Sequence, residues 1–177
     1  MKQIEKREMP LVSAICALVV RQAELFRERK RSTWLSSRYG INPNNIPGDV
    51  WLENPENIII GPNTYMNSGY IIAGKKARVV IGDWCAIGCN VHIRAISHDL
   101  RRPTGPNRVI GDGIVERDIT IGDHVWIGDN VYIREGTRIG RNAIIGANSV
   151  VTDNVEDNAV VGGVPAKLLY FRKVENY

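Results

Sequence analysis

The sequence predicts an all-β chain, a parallel β-helix of hexapeptide repeats, with an N-terminal α-helix and one long loop extruded from the coil. Three observations carry that prediction. From residue 121 onward one phrase recurs every six residues, Ile121-Gly122-Asp123-His124-Val125-Trp126, then units opening at Ile127, Ile133, Ile139, Ile145 and Val151. Units opening at Ile60, Ile81 and Ile87 keep the same pattern. Between Ile93 and Ile121 the register breaks into a polar stretch that includes Ser97, His98, Asp99, Arg101 and Arg102. A period of six suits neither a helix nor an alternating strand. It marks a solenoid in which each unit supplies one short strand and one corner.

The elements follow in order. Residues 10–20 are apolar, then Arg21, Arg27, Arg29, Lys30 and Arg31 make a basic second half. One helix over about 9–31 is expected. Its ten apolar residues before Arg21 are too few to span a bilayer. Glu5, Glu8 and the lack of a small-residue cleavage site argue against a signal peptide. The plain expectation is that its apolar face docks on the coil or a neighbouring subunit. The sharper one is a peripheral membrane contact. Asn, Pro and Gly in residues 40–55 read as a connector, so residues 1–55 form an N-terminal module. The coil is expected over 56–165 and a tail over 166–177.

Within the coil, three units make one triangular turn. The aliphatic first places of 121, 127 and 133 then point inward at one level, and those of 139, 145 and 151 at the next. Stacked chains lie at the ordinary inter-strand distance of roughly 4.8 Å. Small fifth places leave room at the corner, and Gly or Asn suits turns of unusual φ. The break should leave as a loop over about 95–116. Loops of about 20 residues in a compact domain usually carry function.

Composition narrows the class. The chain has 177 residues, 44% hydrophobic, with a formal net charge of +4 and no aromatic-basic interleaving, which argues against nucleic acid as partner. Three cysteines exclude a fully paired disulfide framework and point to a reducing, cytoplasmic compartment. Cys85, at a fifth place, should pack inside the coil. Cys85 and Cys89 alone make no metal site. Of the three histidines, His98 sits in the loop break, whereas His92 and His124 fall at regular repeat places and read as exposed corner residues.

The chain resembles the hexapeptide-repeat acyltransferases and, within them, the maltose- and galactoside-O-acetyltransferase-like enzymes. The matching pieces are Ile96-Ser97-His98-Asp99, the run from Ile119 to Gly128 with Trp126, Ile145-Gly146-Ala147 through Thr152, and Val161-Gly162-Gly163-Val164-Pro165-Ala166-Lys167. That resemblance implies a left-handed coil, a homotrimer with active sites between subunits, and acetyl-CoA as donor with no metal. It implies His98 as the general base that takes a proton from a sugar hydroxyl. It places Tyr65, Asn67 and Trp126 near the acceptor and thioester; Asp99, beside His98 and counted with the substrate-binding residues, either flanks the imidazole or serves a turn. Gly128, Ala147 and Thr152 fall along the pantetheine groove, and Lys167 near the nucleotide phosphates.

Two departures bear on the acceptor. Residues 1–55 lack the helical module of those enzymes, and Lys75-Lys76 stands where they carry an acidic stretch. The expected acceptor is therefore a saccharide of surface-polysaccharide or lipopolysaccharide assembly, acetylated in the cytoplasm or at the inner face of the membrane. Serine or an amino sugar remains as another acceptor. A γ-class carbonic anhydrase would need three histidines meeting at zinc, and a non-catalytic scaffold would bind no CoA.

Overall fold

The computed structural model describes residues 11–47, 49–99, 101 and 113–173. Helix α1 spans Leu11–Tyr39 and is stopped by Gly40, whose φ of 67° lets its N–H turn back to the Ser36 carbonyl at 3.1 Å. Coil one then runs through β1 (Val50–Glu53), β2 (Ile58–Ile60) and β3 (Tyr65–Met66). Coil two comprises β4 (Gly69–Ile72), β5 (Val79–Ile81) and β6 (Ala86–Ile87). Coil three starts with β7 (Val91–Arg94), leaves through β8 (Ile96–His98) and β9 (Ile114–Glu116), and returns at β10 (Ile119–Ile121) and β11 (Trp126–Ile127). Coil four is β12 (Tyr132–Ile133), β13 (Arg138–Ile139) and β14 (Ile144–Ile145). Coil five is β15 (Val150–Val151), a bridge at Val155, and β16 (Ala159–Gly162), against which β17 (Lys167–Phe171) folds back antiparallel.

Three parallel sheets result, one per face of the prism. Face A stacks β1, β4, β7, β12 and β15. Face B stacks β2, β5, β10 and β13, and face C stacks β3, β6, β11, β14 and β16. The inward column of face C is Met66, Ile87, Ile127, Ile145 and Val161; that of face A is Ile71, Ile93, Ile133 and Val151. All of these are buried. Each of these side chains therefore lies between others of its kind, which is why the inward places are filled by unbroken columns of apolar residues.

The corners explain the remaining places. Asn90, Asn130, Asn142 and Asn148, all at fourth places, adopt φ between 54° and 59°, the left-handed region that Asn enters most readily. Asn90 Nδ2 donates to Asn130 Oδ1 at 2.9 Å and Asn130 Nδ2 to Asn148 Oδ1 at 3.1 Å, a ladder down one edge. Second-place glycine is forced by proximity. A Cβ on Gly128 would lie 2.7 Å from the Ala147 nitrogen of the next coil.

Several sequence expectations shift. The helix runs eight residues beyond the expected end at 31, because its last turns cap the prism. Leu35 is buried with Ile41 and Ile46, and the Arg31 guanidinium donates to the carbonyls of Ile46, Pro47 and Val50. The coil begins at Val50, inside the segment read as connector, and residues 167–171 are a strand rather than tail. The sixfold count also fails at coil five. Ile139 bridges Val155 and Ile145 pairs with Val161, sixteen residues on instead of eighteen, so Val155 takes an inward place. Upstream of Arg31, α1 does not dock on this chain's coil: its described side chains from 14 to 27 are all exposed. Among the described residues no helix is long and apolar enough to cross a membrane.

Ile127→Ala should cost about 2–5 kcal/mol in chemical denaturation, as for other buried large-to-small changes. Thr120→Ala, on the outward side of a neighbouring strand, should stay within about 0.5 kcal/mol.

Candidate active site

The corner between faces A and B is where coil three opens. Ala95, fully buried, ends the coil, and the Arg117 N–H donates to its carbonyl at 3.0 Å to close it again. Between them β8 and β9 pair antiparallel and carry His98, opposite Ile114, out of the prism as an exposed side chain. Asp99 follows, its N–H on the Gly113 carbonyl at 2.9 Å. Its carboxylate takes the Arg101 guanidinium in a fork, Nε at 2.9 Å and Nη2 at 3.1 Å, and accepts the Arg101 N–H at 3.1 Å. Asp99 thus shapes the turn after His98. Residues 100 and 102–112 of the expected loop, Arg102 among them, lie outside the described residues.

Glu116 secures the foot of this hairpin, a role the sequence did not announce. Its carboxylate accepts the N–H groups of Lys76 at 2.6 Å and Ala77 at 3.1 Å. Those backbone bonds, with Lys76 itself, hold the Glu116 carboxyl below its ordinary value of 4.5. The basic Lys75-Lys76 turn is thereby fixed beside the hairpin. Forty residues separate the partners, so no local motif could signal the contact.

A second group of candidate residues lines the edge between faces C and A. Tyr65 and Trp126 project from face C, both exposed and both paired in register with Ala86, which lies between them. Asn67, exposed, donates its N–H to the Ile87 carbonyl at 3.0 Å. Gly128 and Ala147 continue the same line, with the Gly128 N–H on the Ile145 carbonyl at 2.9 Å and Ala147 exposed. Thr152 follows β15 at the other edge, that between faces A and B, with its hydroxyl 3.2 Å from Asp153 Oδ2. Lys167 Nζ lies 3.8 Å from the same carboxylate oxygen, both side chains largely exposed. The turn leading to Lys167 contains the cis peptide Val164–Pro165 and is held by Gly163 N–H to Ser149 Oγ at 3.1 Å.

The structure therefore sorts the candidates into two groups within one chain. Tyr65, Asn67, Trp126, Gly128 and Ala147 form one line. His98, Asp99 and Thr152 lie toward the other edge, and Lys167, paired with Gly162 on face C, reaches Asp153 with its side chain. Face A, four residues wide at β4 and β7, stands between, roughly 13 Å at an ordinary strand rise.

Face A itself holds a column that hexapeptide reading missed. Trp51, Tyr70, His92, Tyr132 and Val150 point outward in paired register, with Trp51 61% and Tyr70 45% exposed. His92 is accordingly a half-buried strand residue rather than an exposed corner. Its ring meets Tyr70 edge-on at 4.8 Å and its Nε2 lies 3.1 Å from Asn90 Oδ1. His124 does occupy an exposed corner, at φ 57°. The three histidines thus sit on a strand, a hairpin and a different corner. Cys85 is buried as expected, and burial pushes its thiol up. Cys16 and Cys89 are exposed.

A prism of hexapeptide coils with one hairpin extruded and a small-residue line along one edge defines the class: the hexapeptide-repeat β-helix proteins. The sequence profile described as "Bacterial transferase hexapeptide (six repeats)" matches residues 118–153. A hexapeptide-repeat-containing acetyltransferase from Vibrio cholerae O1 biovar eltor, solved with acetyl coenzyme A, is 30% identical, with 83% of this chain and 79% of that one covered at a TM-score of 0.69. A maltose O-acetyltransferase from Clostridium difficile 630 is also 30% identical, with 73% and 67% covered and a TM-score of 0.64. Nodulation protein L of Rhizobium meliloti (strain 1021) is 42% identical over 112 residues, 63% of this chain; the match spans 58% of that protein's length. The chain belongs to the hexapeptide-repeat acetyltransferase family, and its coil is the left-handed parallel β-helix.

The pH response of the Glu116 clamp has a definite sign. A carboxyl held low stabilises the hairpin foot above its ordinary value, and that contribution fades as pH falls through the lower folded value. The amide shifts of Lys76 and Ala77 should therefore titrate with a midpoint below 4.5. In Glu116→Gln they should stay flat, read by two-dimensional NMR.

Proposed function

We propose that the chain is an O-acetyltransferase that moves the acetyl group of acetyl-CoA to a hydroxyl of a saccharide, working as a homotrimer with its sites between copies. The observation that carries the reading is the division of the candidate residues between the two edges of face A, a face on which Trp51 and Tyr70 are exposed in a single chain. Turning three face-A surfaces toward a common axis covers Trp51 and Tyr70. It also sets the His98 edge of one copy beside the Asn67 and Gly128 edge of the next. Likeness to a structure holding acetyl coenzyme A and to a maltose O-acetyltransferase supports the donor and the acceptor class.

The chemistry then has a place for each group. A sugar hydroxyl is a weak nucleophile, so His98 takes its proton as the oxygen attacks the thioester carbon. The C–O bond forms, the C–S bond breaks, and the coenzyme A sulfur leaves with the proton returned by the imidazolium. Backbone N–H groups at the cleft stabilise the oxyanion between. Asp99, through its fork with Arg101, holds the turn that aims His98. Trp126 walls the thioester, and Tyr65 and Asn67 contact the acceptor.

At Gly128 and Ala147 small side chains leave backbone groups open to the pantetheine amides. Thr152 closes that groove from the neighbouring copy, and Lys167 exchanges Asp153 for a nucleotide phosphate. Lys75 and Lys76, fixed by Glu116, suit an anionic acceptor such as a nucleotide- or lipid-diphosphate sugar. That fits cytoplasmic assembly of a surface polysaccharide or lipopolysaccharide.

Calorimetry with coenzyme A and acetyl-CoA should give about one site per chain, retained in His98→Ala. Acetyl transfer, followed by thiol release over a panel of saccharides, should fall on the order of 10²–10⁴-fold in that variant. Absence of binding at millimolar coenzyme A would remove the acetyltransferase reading. Tyr70→Asp should dissociate the assembly in analytical ultracentrifugation and abolish transfer with it. A variant that stays trimeric would move the interface to another face.

A further inference from the structure

The N-terminal helix is unusual in what it leaves uncovered. Anchoring to the coil is concentrated at Arg31, Leu35 and the turn after Tyr39. Upstream of that anchor the helix, whose 29 residues measure about 43 Å at the usual rise, carries Ile15, Leu18, Val19, Val20 and Phe26, each more than half exposed. At helical spacing Ile15, Leu18, Val19, Gln22, Ala23 and Phe26 fall on one side. Leu35 falls on the opposite side, which is the one that meets the coil.

Charge singles out what covers that surface. Residues 11–39 hold six of the chain's 23 basic side chains and only two of its 19 acidic ones, a balance of +4 that equals the formal charge of the whole chain. The coil and the remaining residues together are neutral. A second copy's coil therefore carries no net charge to complement this helix. A surface combining an apolar layer with dense negative charge matches both of its properties. Basic amphipathic helices of this kind lie in the headgroup plane of anionic bilayers.

We infer that α1 is a peripheral membrane anchor that seats on an anionic lipid surface through Ile15, Leu18, Val19 and Phe26, with Arg21, Arg27, Arg29 and Lys30 at the headgroups. Lys30, 4.9 Å above the Phe26 ring, is placed to ride at the boundary. The anchor stands apart from the acetyl-transfer reading, since none of these residues belongs to the candidate site.

The test is co-sedimentation of the full chain with vesicles of phosphatidylcholine alone and of phosphatidylcholine mixed with phosphatidylglycerol. Binding to the anionic vesicles only, weakened by added salt, is the expected result. The triple variant Arg21→Glu/Arg27→Glu/Arg29→Glu should lose affinity by on the order of 10²-fold or more. Leu18→Ser/Val19→Ser should weaken it without changing charge. Coenzyme A calorimetry should be unchanged in both variants, which separates failure of the anchor from failure of the fold or of the enzyme reading. Equal binding to neutral vesicles, or none to anionic ones at low salt, would overturn the anchor. Efficient Cys16-to-Cys16 cross-linking without lipid, joined to absent vesicle binding, would assign the helix to a second copy instead.

Discussion

Everything in this molecule depends on the spacing between one coil and the next. Parallel strands must lie one hydrogen-bond repeat apart, and that distance is shorter than any pair of corners can tolerate with side chains at every place. The sequence yields to this at three positions of each unit. The second place often gives up its side chain, as Gly128 does under Ala147. The third often supplies a carboxylate for the backbone of the coil before it: Asp123 accepts the Asp83 N–H at 2.9 Å, and Asp129 the Cys89 N–H at 2.7 Å. The fourth turns left-handed. Where Trp84 and His124 adopt that same conformation at φ 57°, bulky side chains follow the backbone rule that Asn satisfies more cheaply.

That dependence explains how much of the fold was legible beforehand. Each unit repeats the same solution to the same problem, so a period of six is written into the chain wherever the corners are regular. Coil five escaped because its corner tightens by two residues, bringing Val155 inward where a strict count reaches Asp157. Coil one escaped because β1 alternates, Val50 and Leu52 pointing in while Trp51 points out, inside a stretch whose Asn, Pro and Gly read as connector. The helix ran long because Leu35, in a polar neighbourhood, takes its burial from Ile41 and Ile46, which the sequence alone does not place beside it.

The candidate site was less legible, for a geometric reason. A hexapeptide motif tells which corner a residue occupies but not which corner of another copy it will face. His98 was marked by the loop break, and Gly128 and Ala147 by resemblance to the acyltransferases. The aromatic column of face A was invisible because Trp51, Tyr70, His92 and Tyr132 are unevenly spaced in sequence and become neighbours only through stacking. Glu116 was missed for the same reason. Its value lies in holding a turn forty residues away, and side chains that act at a distance carry no local signature.

The closure at Ala95 and Arg117 has an evolutionary consequence. Because the coil is sealed by one backbone bond below the hairpin, β7 and β10 stack on their neighbours as they would with nothing between them. The inserted segment is thus tied to the core at its foot, where β8 and β9 pair and Glu116 holds Lys76 and Ala77. Lengthening such an insert costs only logarithmically in closure entropy. Descendants of this architecture are free to lengthen or shorten the insert beyond that foot while inheriting the stacked coils unchanged.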